Sequence, residues 1–463
     1  MATCPPRPAH PAQPPVPSGG PLRHAHWWQR RWVRHAALST LLVLCGLVIL
    51  AMVREQTGPE GFLVGLGLAV LPVPLLVAVF RWLDRVEPCP WRTMVFSFAW
   101  GACAAALIAI VANSFATRWI ATATADPSRA DTLGATVIAP VVEESAKGAA
   151  VVLILLFRRR DFTGVLDGVV MAGVTGAGFA FTENILYLGT AFGTDQLTGG
   201  SGLASVTAAT FFVRVVMSPF AHPLFTVFTG IGLGVAAQSG ERRRARRVLL
   251  PLLGLLLAMG MHALWNGSSN FGEFGFFAVY AAFMVPAFGL LTWLAIWTRQ
   301  RELRTVREEL AAYVAADWLS PAEPFALGSM RDRRTARRFA RRHGGRAAAR
   351  TVARYEAYAT SLALLRHGGR RGRARADFVE RERELLHALW RRRETARPAL
   401  EHAVAVRAWP GPWYGTPVPG HPQPRLQVHG PLNGPGREPG HEPPDGPGGG
   451  RGAPYPAYRP YRS

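Results

Sequence analysis

LGATVIAPVVEESAKGAAVVLILLF, residues 133–157, is an apolar stretch broken near its middle by Glu143, Glu144 and Lys147. A membrane span needs roughly 20 apolar residues, so this stretch is long enough to cross a bilayer. Glu143 lies about ten residues in, roughly 15 Å of helix rise, which puts the charges near the midplane. Ionisable groups at that depth cost a few kcal/mol each and ask for a reason. Glu143 and Lys147 are four residues apart, share a helix face, and so partly neutralise each other. Two adjacent carboxylates in low dielectric resist ionising together, and a carboxylate poised in this way suits general-base work on a water. The plainer reading is a structural ion pair that pins helix packing, to which a second buried acid would add nothing.

Working outward, further apolar runs lie near 36–53, 61–82, 93–115, 162–188, 204–238, 248–267 and 274–298. The run at 204–238 is too long for one straight helix, and Pro219 and Pro223 are placed to break it. The fold class expected is an all-α polytopic membrane protein, a bundle of about eight transmembrane helices. Basic residues gather in alternate loops (Arg81, Arg85 and Arg92; Arg158–Arg160; Arg242–Arg247; Arg299 onward), which predicts that both termini are cytoplasmic.

The whole chain of 463 residues is 49% hydrophobic yet carries a net charge of +22, a split between an apolar core and basic ends. Four regions follow: a disordered basic tail (1–35), a multi-span core (36–298), an Arg-rich helical cytoplasmic region (299–408) and a Pro/Gly-rich disordered tail (409–463). The Arg-rich region lacks aromatic interleaving and any nucleic-acid module, so anionic lipid headgroups are its expected partner and nucleic acid is not. The four cysteines show neither a disulfide framework nor metal spacing and read as bystanders. Basic residues are arginine almost throughout, the bias of GC-rich bacterial genomes, and Lys147 is the only lysine.

Other costly polar groups share the core. Glu183 and Asn184 end a helix whose Gly164, Gly168, Ala172 and Gly176 recur every four residues, a face for close packing. His222 sits between Pro219 and Pro223, and His262 with Asn266 lies four apart on one face. An imidazole with an amide can polarise a carbonyl or help hold a metal. Together these residues form a constellation for activating a water and attacking a carbonyl.

At these positions the sequence resembles the PrsW family of intramembrane proteases, within the wider CAAX-protease-like group. The resemblance runs in order through Asp84-Arg85, Glu87-Pro88, Glu143-Glu144-x-x-Lys147, Asp161-Phe162, Asp167-Gly168, Gly178-Phe179, Glu183-Asn184, His222, His262 and Asn266. It implies peptide-bond hydrolysis in or beside the membrane, with an anti-sigma factor as the best-known family substrate. In CAAX-type relatives the Phe-x-x-x-Glu motif (Phe179 to Glu183) often ends in His, and here it ends in Glu.

Two mechanisms stay open. In one, Zn²⁺ is held by some of Glu143, Glu183, His222 and His262, with Glu144 as base. In the other, Glu143 activates water directly while His262 and Asn266 stabilise the oxyanion. Lys147 belongs to the site in both. From other classes, a proton-coupled transporter also carries midplane acids and broken helices, although no internal repeat is visible, and an inert membrane scaffold ranks last. The expected cavity opens on the extracytoplasmic side of a bacterial cell membrane, toward a membrane-protein substrate.

Overall fold

The computed structural model describes residues 31–86, 88–158, 162, 164–239, 244–373 and 377–408. Most of the two tails, and Glu87 and Asp161 of the family motif, lie outside them. Every element is helical, with no strand among the described residues.

The first two apolar runs are continuous helix, α1 (Arg31–Val70) and α2 (Pro72–Leu83), joined through Leu71. Gly58 divides α1, with φ 70° and Pro59 following it. That backbone region is open to glycine at little steric cost, and proline then removes a helix donor. Helix already begins at Arg31, inside the stretch expected to be a disordered tail. Next come α3 (Trp91–Ala99), a π-helical segment at Trp100–Ala105, α4 (Ala106–Thr124) and α5 (Pro127–Leu133). A second π-helical segment, Gly134–Ile138, leads into α6 (Ala139–Phe157), so the α-helical part of the central stretch starts later than expected.

α7 (Val165–Thr198) is the long buried helix at the centre. Asp167 starts it by accepting the Gly164 N–H at 3.1 Å. Asp195 ends it and reaches on to accept Val206 N–H (2.8 Å) and Thr207 N–H (2.9 Å), which starts α8 (Val206–Phe211). The long run at 204–238 does break. α8 passes into a π-helical end at Phe212–Met217, and after a break the chain resumes as α9 (Ala221–Ala237). α10 (Arg244–Gly267), α11 (Gly272–Val279), a π-helical turn at Tyr280–Met284 and α12 (Val285–Val314) complete the core.

Six helical stretches among the described residues are long and apolar enough to cross a membrane: Ala36–Leu83, Trp91–Thr124, Val165–Thr198, Val206–Ala237, Arg244–Gly267 and Phe274–Val314. This is a multi-pass membrane protein. The expected eight runs correspond to these six, the first of them divided at Gly58, together with α6, which carries Glu143, Glu144 and Lys147 within its 19 residues.

Glycines let α7 touch its neighbours backbone to backbone. A Cβ on Gly168 would stand 2.1 Å from the Gly230 carbonyl of α9, and one on Gly176 would stand 2.7 Å from the His222 carbonyl. On another side, a Cβ on Gly101 would fall 2.0 Å from the Thr175 carbonyl. The four-residue stripe noted in the sequence is therefore the seam that seats α9, and His222 with it.

Beyond the core, the region read from sequence as Arg-rich helix has an apolar core of its own. α12 continues without interruption to Val314 and packs with α13 (Glu323–Leu327), α14 (Met330–Gly368), α15 (Phe378–Trp390) and α16 (Arg393–Ala408). These share a hydrophobic core that includes Val306, Leu310, Tyr355, Leu362, Leu386 and Leu400. Buried Arg333 ties this unit to the membrane core. Its guanidinium donates to the carbonyls of Leu327 (2.8 Å) and Val86 (3.1 Å) and to Thr360 Oγ1 (2.8 Å).

Candidate active site

α6 packs against α7, α9 and α10, and its Glu143, Glu144 and Lys147 are all buried there. Trp100 Nε1 donates to the Ala146 carbonyl at 2.9 Å and braces the helix behind them. Lys147 Nζ stands 2.9 Å from Glu144 Oε1, 3.3 Å from Glu143 Oε2 and 3.1 Å from His222 Nδ1. It also lies 3.8 Å from the centre of the Phe179 ring, a cation–π contact. The lone lysine is thus enclosed by two acids, an imidazole and an aromatic face.

Both oxygens of Glu144 are engaged. Oε1 meets Lys147 and His262 Nδ1 (3.0 Å), while Oε2 accepts from Thr226 Oγ1 (3.0 Å). Glu143 is held less tightly: Oε1 accepts from Asn113 Nδ2 at 3.3 Å, and Oε2 lies 3.8 Å from His262 Nε2. Asn113 Oδ1 is buried with no hydrogen-bond partner, so an acceptor beside Glu143 stands ready for a donor.

Glu183 Oε2 lies 2.5 Å from His222 Nε2 and also accepts from the Arg214 guanidinium. The rings are packed too. Phe225 stacks on His262 at 4.9 Å, and the His222 and His262 rings meet edge to face at 5.2 Å.

These contacts assign the tautomers. A carboxylate beside Nε2 of His222 requires the proton there, so Nδ1 carries the lone pair and accepts from Lys147. In His262 the order is reversed: Glu144 requires the proton on Nδ1, which leaves the lone pair on Nε2, toward Glu143. Glu143, His222 and His262 offer ligand atoms that all lie within 4.8 Å of one another. Two imidazoles and a carboxylate form a donor set of the catalytic-zinc type. Each imidazole is gripped on its other nitrogen by a carboxylate, the arrangement that orients metal-binding histidines. These residues fit a zinc ion.

Of the residues singled out from sequence, Glu143, Glu144, Lys147, Glu183, His222 and His262 come together. Glu183 lies outside the three-donor group, with Oε2 committed to His222 and Arg214. The Asn266 amide donates to the Ala135 carbonyl at 2.9 Å, which commits a donor expected for an oxyanion to the joint between α10 and the segment before α6.

A second buried group, Asp84, Cys89 and Asp167, also brings donor atoms within 4.8 Å. Its atoms have structural uses: Asp84 accepts the Cys89 N–H (2.8 Å), Cys89 Sγ lies 3.6 Å from Asp167 Oδ1, and Asp167 caps α7. Cys89 is therefore part of a joint and no bystander. Burial pushes the Asp84 carboxyl up to about 7; Asp167 opposite it adds to the rise, while the Cys89 N–H and Arg81 hold it back.

Residues 89–291 match the profile of the PrsW family intramembrane metalloproteases. The chain is also 28% identical over 151 residues to Protease PrsW of Oceanobacillus iheyensis, covering 33% of this chain and 59% of that protein. It thus spans less than two thirds of that relative's length. No solved structure matches it.

Three polar residues of the site were missed from sequence. Arg214 is the one ionisable residue between 204 and 221, so the argument applied to the acids would have found it. Asn113 and Thr226 carry no such signal, because small polar side chains are common in apolar helices.

Proposed function

We propose that this protein is an intramembrane metalloprotease that hydrolyses peptide bonds of membrane-associated proteins. The observation that carries the reading is the convergence of Glu143, His222 and His262, with each histidine held by its own carboxylate. Zinc bound there would supply Lewis acidity and a water that ionises near neutral pH.

The protein's own residues prepare that chemistry. Glu144 and Glu183 orient the two imidazoles, and Lys147 offsets the charge of Glu143 and Glu144. Thr226 fixes the second oxygen of Glu144, so this acid acts by positioning rather than as the free base expected from sequence. Glu143, the less tightly held acid, is the group available to the reacting centre, and Asn113 offers an acceptor beside it.

A second reading has an observation in its favour. Lys147 already compensates both acids within 3.3 Å, so Glu143 could act as the base without a metal. One experiment separates the two. Purified protein is assayed for metal content and for cleavage of a single-span substrate, with and without chelator, alongside Glu143→Ala and His262→Ala. Zinc at one per chain, chelator-sensitive cleavage and two inactive variants support the metal reading. Chelator-resistant cleavage favours the glutamate reading, and cleavage by Glu143→Ala overturns both.

The resemblance to the PrsW family makes an anti-sigma factor the first substrate to test. The arginine bias supports a bacterial cell membrane as the location, and the loop charges support both termini in the cytoplasm, with anionic headgroups beside the Arg-rich unit.

A further inference from the structure

Arg214 is the one cation of the site with no counterpart among the motif residues quoted from sequence. It sits on the π-helical end of the first half of the broken span, against the middle of α7. Its guanidinium is used as a fork. Nε donates to Asn184 Oδ1 at 2.9 Å, one terminal nitrogen donates to Glu183 Oε2, and the plane lies 3.9 Å from the centre of the Tyr187 ring. Three side chains on one side of α7, Glu183, Asn184 and Tyr187, are therefore gripped by one guanidinium.

The oxygen it holds is the one that faces His222. Glu183 Oε2 receives both the Arg214 donor and the proton on His222 Nε2. A glutamate with three rotatable bonds would otherwise sample several rotamers, and each would present a different edge to the imidazole. With Oε2 pinned, His222 keeps its proton on Nε2, and the Nδ1 lone pair stays turned toward Lys147.

We propose that Arg214 is a positioning residue that, through Glu183, fixes the tautomer and ring orientation of His222 as a metal ligand. This rests on the metal reading of the site. The role requires the fork and not the charge alone, because a lysine in its place cannot bridge Asn184 and Glu183 with a rigid plane.

The test is metal binding, which needs no substrate. Wild type, Arg214→Gln, Arg214→Lys, Glu183→Gln and the Arg214→Gln/Glu183→Gln double variant are stripped and titrated with Co²⁺ against a competing chelator. The visible cobalt spectrum reports the ligand field, and thermal unfolding of the apo proteins reports the fold. Outer-shell partners of metal-binding histidines typically contribute about 10–100-fold in affinity. We expect losses on that order in Arg214→Gln, in Arg214→Lys and in Glu183→Gln, with a shifted spectrum. The double variant should lose no more than the worse single one, because both act on one imidazole. If Arg214→Gln does not fold, Arg214→Lys carries the test. Wild-type affinity and spectrum in a folded Arg214 variant overturn the proposal, as do additive losses in the double variant. Absence of cobalt binding by wild type overturns the metal reading itself, and this inference with it, and is distinguishable from a failure confined to Arg214.

Discussion

His262 Nδ1 and Glu144 Oε1 lie 3.0 Å apart, a contact that joins residues 118 positions apart and ties α10 to α6. The contact makes Glu144 the holder of an imidazole. Glu144→Gln should therefore lower metal affinity and cleavage together by about 10–100-fold, while Glu143→Gln should abolish cleavage. Titration with metal and turnover of a single-span substrate check both. A Glu144→Gln variant that binds metal as wild type does yet fails to cleave would return Glu144 to the role of base.

Lys147 is wholly enclosed, touching Glu143, Glu144, His222 and the Phe179 ring. Arginine keeps the charge but is larger and planar, and overpacking a closed site costs about 1–3 kcal/mol. Lys147→Arg should thus lower both thermal stability and activity. Full activity with an unchanged unfolding temperature would show that the compact ammonium is not what the site requires.

The Asp84 carboxyl, pushed from its ordinary 3.8 up to about 7 by burial, links stability to pH. A carboxyl raised by folding contributes stability that is complete below its unfolded value and is lost as pH rises through its folded one. Stability should fall between about pH 4 and 7, by at most about 4 kcal/mol. Asp84→Asn keeps an oxygen to accept the Cys89 N–H and should flatten that slope. Thermal unfolding in detergent across this range measures it, and a wild type as flat as the variant contradicts the assignment.

Gly168 meets Gly230 backbone to backbone, and a methyl there would stand 2.1 Å from a carbonyl oxygen. Gly168→Ala should push α9 away from α7, costing about 1–3 kcal/mol of stability, and carry His222 off its partners. Unfolding temperature and metal affinity are expected to fall together. Retention of both would mean that the seam does not set the site.

Arg333 bridges the C-terminal unit to Val86, in the segment that also carries Asp84 and Cys89. Arg333→Ala strands buried carbonyls at about 1–3 kcal/mol each. Hydrogen exchange should then speed up in residues 82–90 and in α14, with the helices of the membrane core protected as before. Unaltered exchange in 82–90 would show that the bridge does not hold that segment.

Much of the fold was legible because the signals are local. Apolar runs mark the helices, and Gly58-Pro59 and Pro219 to Pro223 mark breaks. The C-terminal core was hidden because Val352, Tyr355, Ala359 and Leu362 recur at helical spacing among arginines, and bulk composition masks a narrow apolar stripe. In the site, the cost of burying charge flagged the acids and Lys147 directly, whereas Asn113 and Thr226 carry no such cost. Asn266 was grouped with His262 by spacing and by the resemblance, and neither says which neighbour an amide meets.

Residues 133–157 by themselves determined that this chain buries Glu143, Glu144 and Lys147 within an apolar helix, since length, hydropathy and a four-residue interval are properties of one segment. Only the tertiary structure decided that Glu144 lies against His262 Nδ1, that Glu183 lies against His222 Nε2, and that Glu143 is left toward Nε2 of His262. Those pairings depend on how far α9 and α10 are rotated and slid against α6 and α7. That rotation is set by backbone contacts such as Gly168 with Gly230, between residues that no local pattern connects.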